Sequence, residues 1–371
     1  MRWLVPLLKL LYSPFLAAVC LAAGTAAWFF ISLGLGLGGR LGLMITLPGL
    51  FFGLTVVQVV WSARVLLLPR PAQTDEFEPP AKSLAGLVKL TRRIAGERRL
   101  PAPDVIRLSP DDVAYVYEDD RNRKVLVVGA VALGIFSQPQ FASVIAHELG
   151  HFAGGDTRTS RRGYRWSLMM GVLDFEFDRN PWAAANPLVW LVRGYHLLYR
   201  WALAANSRVQ EYRADRCSVE HAGKREAAVT LILFEAIEKL PWARLSAIAD
   251  AAVQLSIPVD RIFTEQAKRA AEITPADWQE ACARALRSKT RPFDTHPALR
   301  DRLRAIGVSR KKALELASQL DHSGPKARDL VTGWDSIEHW LTATLLEQHR
   351  ERWEAKQEAA AIILGRPAVG R

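Results

Sequence analysis

The chain has 371 residues, half of them hydrophobic and 23% charged, which is enough for two ordinary domains and a large buried core. That balance excludes a disordered or collagen-like chain, and three cysteines (Cys20, Cys217, Cys282) without short paired spacing support neither a disulfide framework nor a cysteine-type metal site. The net charge of +11 is unevenly spread: five basic and no acidic residues precede position 71, so residues 71–371 carry +6 of it. The N-terminal share flanks apolar runs, which fits a lipid surface better than nucleic acid, and no nucleic-acid partner is expected.

Two apolar stretches open the chain. Phe15 to Gly38 holds no charge, nor does Leu41 to Ala63 after Arg40. Each has the roughly 20 residues that cross about 30 Å of hydrocarbon as a helix, so residues 1–70 are expected to form a transmembrane helical hairpin. A cleaved signal peptide is the rival for the first stretch, but the run is too long for one, and the second stretch would anchor the chain regardless. Arg2 and Lys9 precede the first span, Arg64 and Arg70 follow the second, and Arg40 alone lies between. By the Lys/Arg bias both ends face the cytoplasm, which makes a multi-pass protein of the cell's inner membrane with its bulk inside.

Pro69 to Pro80 is a Pro-rich linker. Ala81 to Gly96 has helical spacing, and Val105–Leu108, Val113–Tyr117 and Lys124–Val128 read as short strands, the last two joined by a polar turn over Glu118–Arg123. These are expected to pair as a small antiparallel sheet. Ser137-Gln138-Pro139-Gln140 has the form of a capping box, introducing a helix to about Phe152 that stops at Gly154-Gly155. Helical patterns dominate from there on, broken at Pro181, Pro187, Pro241, Pro258 and Pro292, so the fold class is mainly α (α+β). A long charged helix from Asp335 to about Leu364 forms a C-terminal extension over 322–371, expected to dock on the body formed by 71–321, with recruitment of another protein as the alternative use.

The capped helix contains His147-Glu148-Leu149-Gly150-His151. A spacing of four puts both imidazoles on one helix face, about 6 Å apart along the axis, so they can converge on one metal ion. Glu148 projects beside them and can take a proton from a water that the metal has acidified. Chance gives this pentapeptide in about one chain in a hundred of this composition, so the spacing carries weight. A third protein ligand is needed. Glu211 is one choice, with Asp215 a turn later to hold the far nitrogen of a ligating histidine, but Asp156, Asp174, Glu176 and His196 are rivals. On a continuous helix His196 and Glu211 lie about 22 Å apart, so only one of them reaches the ion.

These residues resemble the membrane-anchored gluzincin peptidases that include HtpX and the CaaX prenyl endopeptidases. The resemblance covers most of residues 81–305 and rests on His147–His151 followed by Asp156, on Ser207-Arg208-Val209-Gln210-Glu211-Tyr212-Arg213-Ala214-Asp215, and on Thr295-His296-Pro297 with Arg302-Leu303 behind it. It implies a zincin-type protease domain with one Zn2+ per chain on His147, His151 and Glu211, Glu148 as general base and Asp215 behind a ligand. His296 is implied near the cleft, assisting the oxyanion or gating access; a plain loop histidine before proline is the alternative. Substrate backbone is implied to lie antiparallel to an edge strand in the 113–128 region. The resemblance implies endopeptidase action on proteins or peptides, chiefly membrane proteins in quality control. A membrane-tethered binding or chaperone-like module with a structural zinc site is the other class of reading, against which Glu148 speaks.

There are departures. The family's Asn-Ala-Phe-like stretch is replaced by Val113-Ala114-Tyr115-Val116-Tyr117-Glu118, which bears on substrate preference. HtpX-like members also place two further spans between the two ligand helices. Here Tyr164 to Leu173 is too short for one, and Asp174, Glu176, Asp178, Arg193, His196 and Arg200 interrupt the rest, so none is expected. Arg193, His196 and Arg200 are expected to form one stripe of a helix lying at the membrane surface or against the protease body. Arg158, Arg161, Arg162 and Arg165 form a basic cluster, read as a solvated loop or a contact with anionic headgroups.

Overall fold

The computed structural model describes residues 4–64, 76–111, 114–119, 121–153, 156–181, 183–320 and 324–363, and for 156–165, 362 and 363 the backbone alone. Most of the expected 69–80 linker, the 154–155 helix stop, the arginine cluster, the Asp156 side chain and the domain boundaries near 70 and 321 lie outside what is described. The chain divides into two compact units, one of Met1–Ala72, Arg158–Val209 and Arg291–His296, the other of Gln73–Thr157, Gln210–Thr290 and Pro297–Arg371.

The first unit is helical. α1 (Leu4–Leu37) and α2 (Gly39–Ala63) are both long and apolar enough to cross a membrane, and little of either is buried, with Leu21, Trp28, Leu35, Met44 and Val60 facing outward. That outward apolar surface has no use in water and suits lipid. The two helices approach closely at glycines: a side chain at Gly42 would put its first carbon 2.3 Å from the Gly34 carbonyl oxygen, and one at Gly49 would meet Ala27 and Ile31.

α6 (Asp156–Asp178) and residues 187–209 of α7 (Pro187–Ile237) share a core with these helices, in which Tyr12, Leu16, Val59, Leu173, Phe177, Val192 and Tyr199 are buried. The expected Arg193–His196–Arg200 stripe does not form. His196 is 2% exposed and turned inward, with Nε2 2.7 Å from the Tyr12 hydroxyl and Nδ1 2.8 Å from Asp174. Arg193 pairs with Asp178 at 2.6 Å, while Arg200 is exposed. The spacing was read as a polar face, but burial follows the row Val192, His196, Tyr199, because an imidazole with both nitrogens bonded can be buried at little cost. The Asn186 amide donates to Thr55 and the Gln58 amide to the Glu176 carbonyl, which ties α2 to the same core.

The second unit holds α3 (Ala85–Arg98), β1 (Val105–Ser109), β2 (Tyr115–Glu118), β3 (Lys124–Gly129), α4 (Ala130–Ile135), α5 (Gln138–Ala153), the remainder of α7, α8 (Leu245–Gln254), α9 (Ile262–Ala271), α10 (Pro275–Ala285), α11 (Leu299–Ala305), α12 (Arg310–Ser318) and α13 (Trp334–Ile363). The sheet order is β1-β3-β2, with β2 antiparallel and β1 parallel to β3, so the sheet is mixed and not wholly antiparallel. The β2–β3 hairpin closes as expected through the turn at Asn122, whose φ is 57°. β1 departs because β2 takes the far edge of the sheet, so the hairpin returns β3 between the two strands and parallel to β1.

Two polar anchors hold the outer parts. Glu76 accepts from Arg107, Tyr115 and Tyr117, binding the incoming chain to β1 and β2. The Glu338 carboxylate, 0% exposed, accepts from the backbone N–H and the hydroxyl of Thr264, capping the start of α9. With Phe77 stacked on Trp340 and His349 bonded to Asp250, these contacts dock the first half of α13 on the body.

Candidate metal centre

α5 carries the first half of the site. Its start is the expected capping box: the Ser137 N–H donates to the Gln140 side chain at 3.0 Å, and the Gln140 N–H donates back to the Ser137 hydroxyl at 3.5 Å. Phe141, Ile145 and Leu149 are buried in the core, which turns His147 and His151 to the other side of the helix. Their rings lie 5.0 Å apart, near perpendicular.

The facing element is the 210–237 part of α7. A seam of small residues lets the two helices approach. Gly150 sits so close to α7 that an added side-chain carbon would lie 3.1 Å from Ala214 and 3.2 Å from Cys217, and the hydroxyls of Ser143 and Ser218 bond at 2.5 Å. Glu211 and Asp215, one turn apart on α7, thereby reach the histidines.

His147 Nε2 is 3.6 Å from one Glu211 oxygen and His151 Nε2 is 3.7 Å from the other. Ligand atoms from these three residues all fall within 4.8 Å of one another. Four-coordinate zinc with bonds of about 2.1 Å requires ligand atoms roughly 3.4 Å apart, so the spacing fits the ion. The donor set, two imidazoles and one carboxylate, is that of an open catalytic zinc site. Behind it Asp215 lies 3.2 Å from His147 Nδ1, which places the proton on that nitrogen and turns the Nε2 lone pair towards the ligand cluster. Burial pushes the Asp215 carboxyl up, but hydrogen bonds from His147 and Arg302 outweigh it and leave it well below the usual carboxylate range. Glu148, 8% exposed, is pushed the other way: burial raises its carboxyl above the ordinary range, and the neighbouring imidazoles offset only part of that.

Of the rivals for the third position, Asp174 and His196 bond each other in the helical unit, and Glu176 lies beside them with its carbonyl bonded to Gln58. His296 is exposed and belongs with 291–296 in that same unit. One residue in the site had no role assigned from the sequence. Arg302 was visible there only as a position six residues after His296; its guanidinium reaches both Asp215 and Glu211.

Comparison with known proteins gives the family. The profile of peptidase family M48 matches residues 85–309, more than half of the chain. A Protease HtpX homolog of Chlorobium phaeobacteroides is 27% identical over 150 residues, 39% of this chain and 45% of that protein. Protease HtpX of Mannheimia succiniciproducens is 25% identical over 225 residues (55% of this chain, 77% of that one), and Protease HtpX of Photorhabdus laumondii is 28% identical over 216 residues (51% and 71%). The chain thus spans under half of the first relative and more than two thirds of the other two. Among solved structures, S. mikatae Ste24p aligns over 81% of this chain and 66% of its own at 14% identity, with a TM-score of 0.34, too low to argue from. The matched segment contains both ligand helices and Arg302, and the chain belongs to peptidase family M48.

Proposed function

We propose that this protein is a membrane-anchored, zinc-dependent endopeptidase. The observation that carries the reading is the approach of His147 Nε2 and His151 Nε2 to the two oxygens of Glu211, with Glu148 on the same helix turn. When bound, zinc supplies Lewis-acid chemistry, withdrawing charge from the scissile carbonyl and lowering the pKa of a water. Glu148 takes the proton of the attacking water and hands it to the departing amine. Its burial supports that role, because a carboxyl raised above its ordinary range holds a proton more readily in the second half of the reaction. Asp215 keeps His147 in one tautomer.

β2 is an edge strand with β3 as its one partner in the sheet, which supports substrate backbone pairing antiparallel along Tyr115–Glu118. The clients would be damaged or misassembled membrane proteins, or peptides near the inner leaflet, met through α1 and α2. The test is cleavage of casein by the full chain purified in detergent. Turnover with one zinc per chain, lost on chelation and regained when zinc is restored, supports the reading. Zinc retained without any cleavage favours the non-catalytic binding module.

The Lys/Arg bias around the two spans supports a cytoplasmic protease unit. A reporter fused after Arg371 is expected to be active in its cytoplasmic form; activity only in the periplasmic form overturns that orientation.

A further inference from the structure

Arg302 lies inside the metal centre and has no part in the chemistry above. α11 delivers it. Leu299 and Leu303 are each 1% exposed in the core and fix the helix, and the preceding loop is closed by the Thr290 hydroxyl donating to Asp301 while the Ala298 N–H donates back to Thr290. The guanidinium is then held at three points. Nε donates to one Asp215 oxygen at 2.9 Å, Nη2 donates to the other at 2.5 Å, and the same Nη2 lies 3.4 Å from Glu211 Oε2. Side-chain exposures are 13% for Arg302, 2% for Asp215 and 7% for Glu211, so these charges meet out of water.

We propose that Arg302 is the positioning residue of the metal centre, one cation that orients both the Asp215 carboxylate behind His147 and the Glu211 ligand in front. This rests on the reading of His147, His151 and Glu211 as the metal's ligands. A planar fork on both oxygens of a carboxylate leaves that group no freedom to rotate. Held so, Asp215 keeps Oδ1 aimed at His147 Nδ1, and through it the ring's other nitrogen at the ion. The third contact reaches the Glu211 oxygen that faces His147, so one side chain sets the spacing of two ligand groups carried by different helices. Charge explains why a cation stands there. Glu148, Glu211 and Asp215 place three carboxylates in a dry site, and without Arg302 the buried Asp215 keeps the His147 imidazole as its partner among the described residues and is driven to swing towards water.

The test uses the full chain in detergent, with Arg302→Gln and Arg302→Lys, and reads the zinc dissociation constant by chelator competition beside kcat and KM on casein. Zinc binding is expected to weaken 10- to 100-fold in Arg302→Gln, the usual cost of losing an outer partner, with kcat falling and KM unchanged. Arg302→Lys recovers little, because a point charge cannot reproduce the fork. Asp215→Asn combined with Arg302→Gln is expected to lose less zinc affinity than the two single losses added together, since Arg302 acts in large part through Asp215. Should Arg302→Gln fail to fold, Arg302→Lys decides the matter. Wild-type zinc affinity in Arg302→Lys, or additive losses in the double variant, overturns the proposal. If the wild-type chain itself takes up no zinc, the ligand assignment fails first, and the two failures are told apart.

Discussion

Glu148→Gln is expected to abolish cleavage while leaving the zinc in place. Glutamine matches glutamate in shape, so the packing of α5 against the core around Phe141, Ile145 and Leu149 is undisturbed, and none of the three ligand side chains changes. What is lost is the group that accepts and returns a proton, worth about 10²–10⁴-fold in kcat. Glu148 is buried beside the two imidazoles, so its carboxylate is the group the variant removes. The measurement is kcat and KM on an unfolded protein substrate, with metal content read on the same preparation. A loss confined to kcat at full zinc occupancy marks a group that acts in the transition state. Equal turnover by variant and wild type removes Glu148 from the reaction, and none by either with zinc fully bound favours the non-catalytic binding module.

Glu211→Gln is expected to act one step earlier, by emptying the site. A neutral amide neither supplies negative charge nor binds zinc well, so two imidazoles are left with Glu148 beside them, and zinc binding should weaken by at least about 10²-fold, beyond the 10- to 100-fold typical of losing an outer partner. Activity should fall in proportion to occupancy and recover in part at high zinc concentration, which Glu148→Gln would not do. The change also takes one carboxylate from beside the Arg302 guanidinium and leaves its contact with Asp215 in place. The readouts are zinc stoichiometry after dialysis and cleavage across a zinc titration. Retained zinc and turnover would redirect the search for a third ligand to Asp156, Asp174 or Glu176; of these, Asp174 is already bonded to His196 in the other unit.

The two outcomes separate the roles of neighbouring carboxylates that the sequence alone leaves open. They also bear on the membrane setting. Tyr12, Asp174 and His196 form a polar chain across three helices of the first unit, buried at Tyr12 and His196, and the charges that interrupt residues 163–205 are in part paired, Asp174 with His196 and Asp178 with Arg193. Those charges looked disqualifying when counted along the chain. Paired, they are compatible with a packed helical core.

What local periodicity governs was readable from the residues alone. Two uninterrupted apolar runs become α1 and α2, and Ser137 with Gln140 caps α5 as their spacing requires. His147 and His151 face one way because four residues make nearly one helical turn. Contacts between residues far apart in sequence were decided only by tertiary packing. Glu211 reaches the two histidines because Gly150 and Ala214 let two helices approach, β1 runs parallel to β3 because β2 takes the far edge of the sheet, and Arg302 enters the centre because Leu299 and Leu303 anchor α11. A short-range pattern constrains backbone conformation and the face a side chain takes. Which distant side chain it meets is settled by the summed packing of the whole core, and no single segment holds that information.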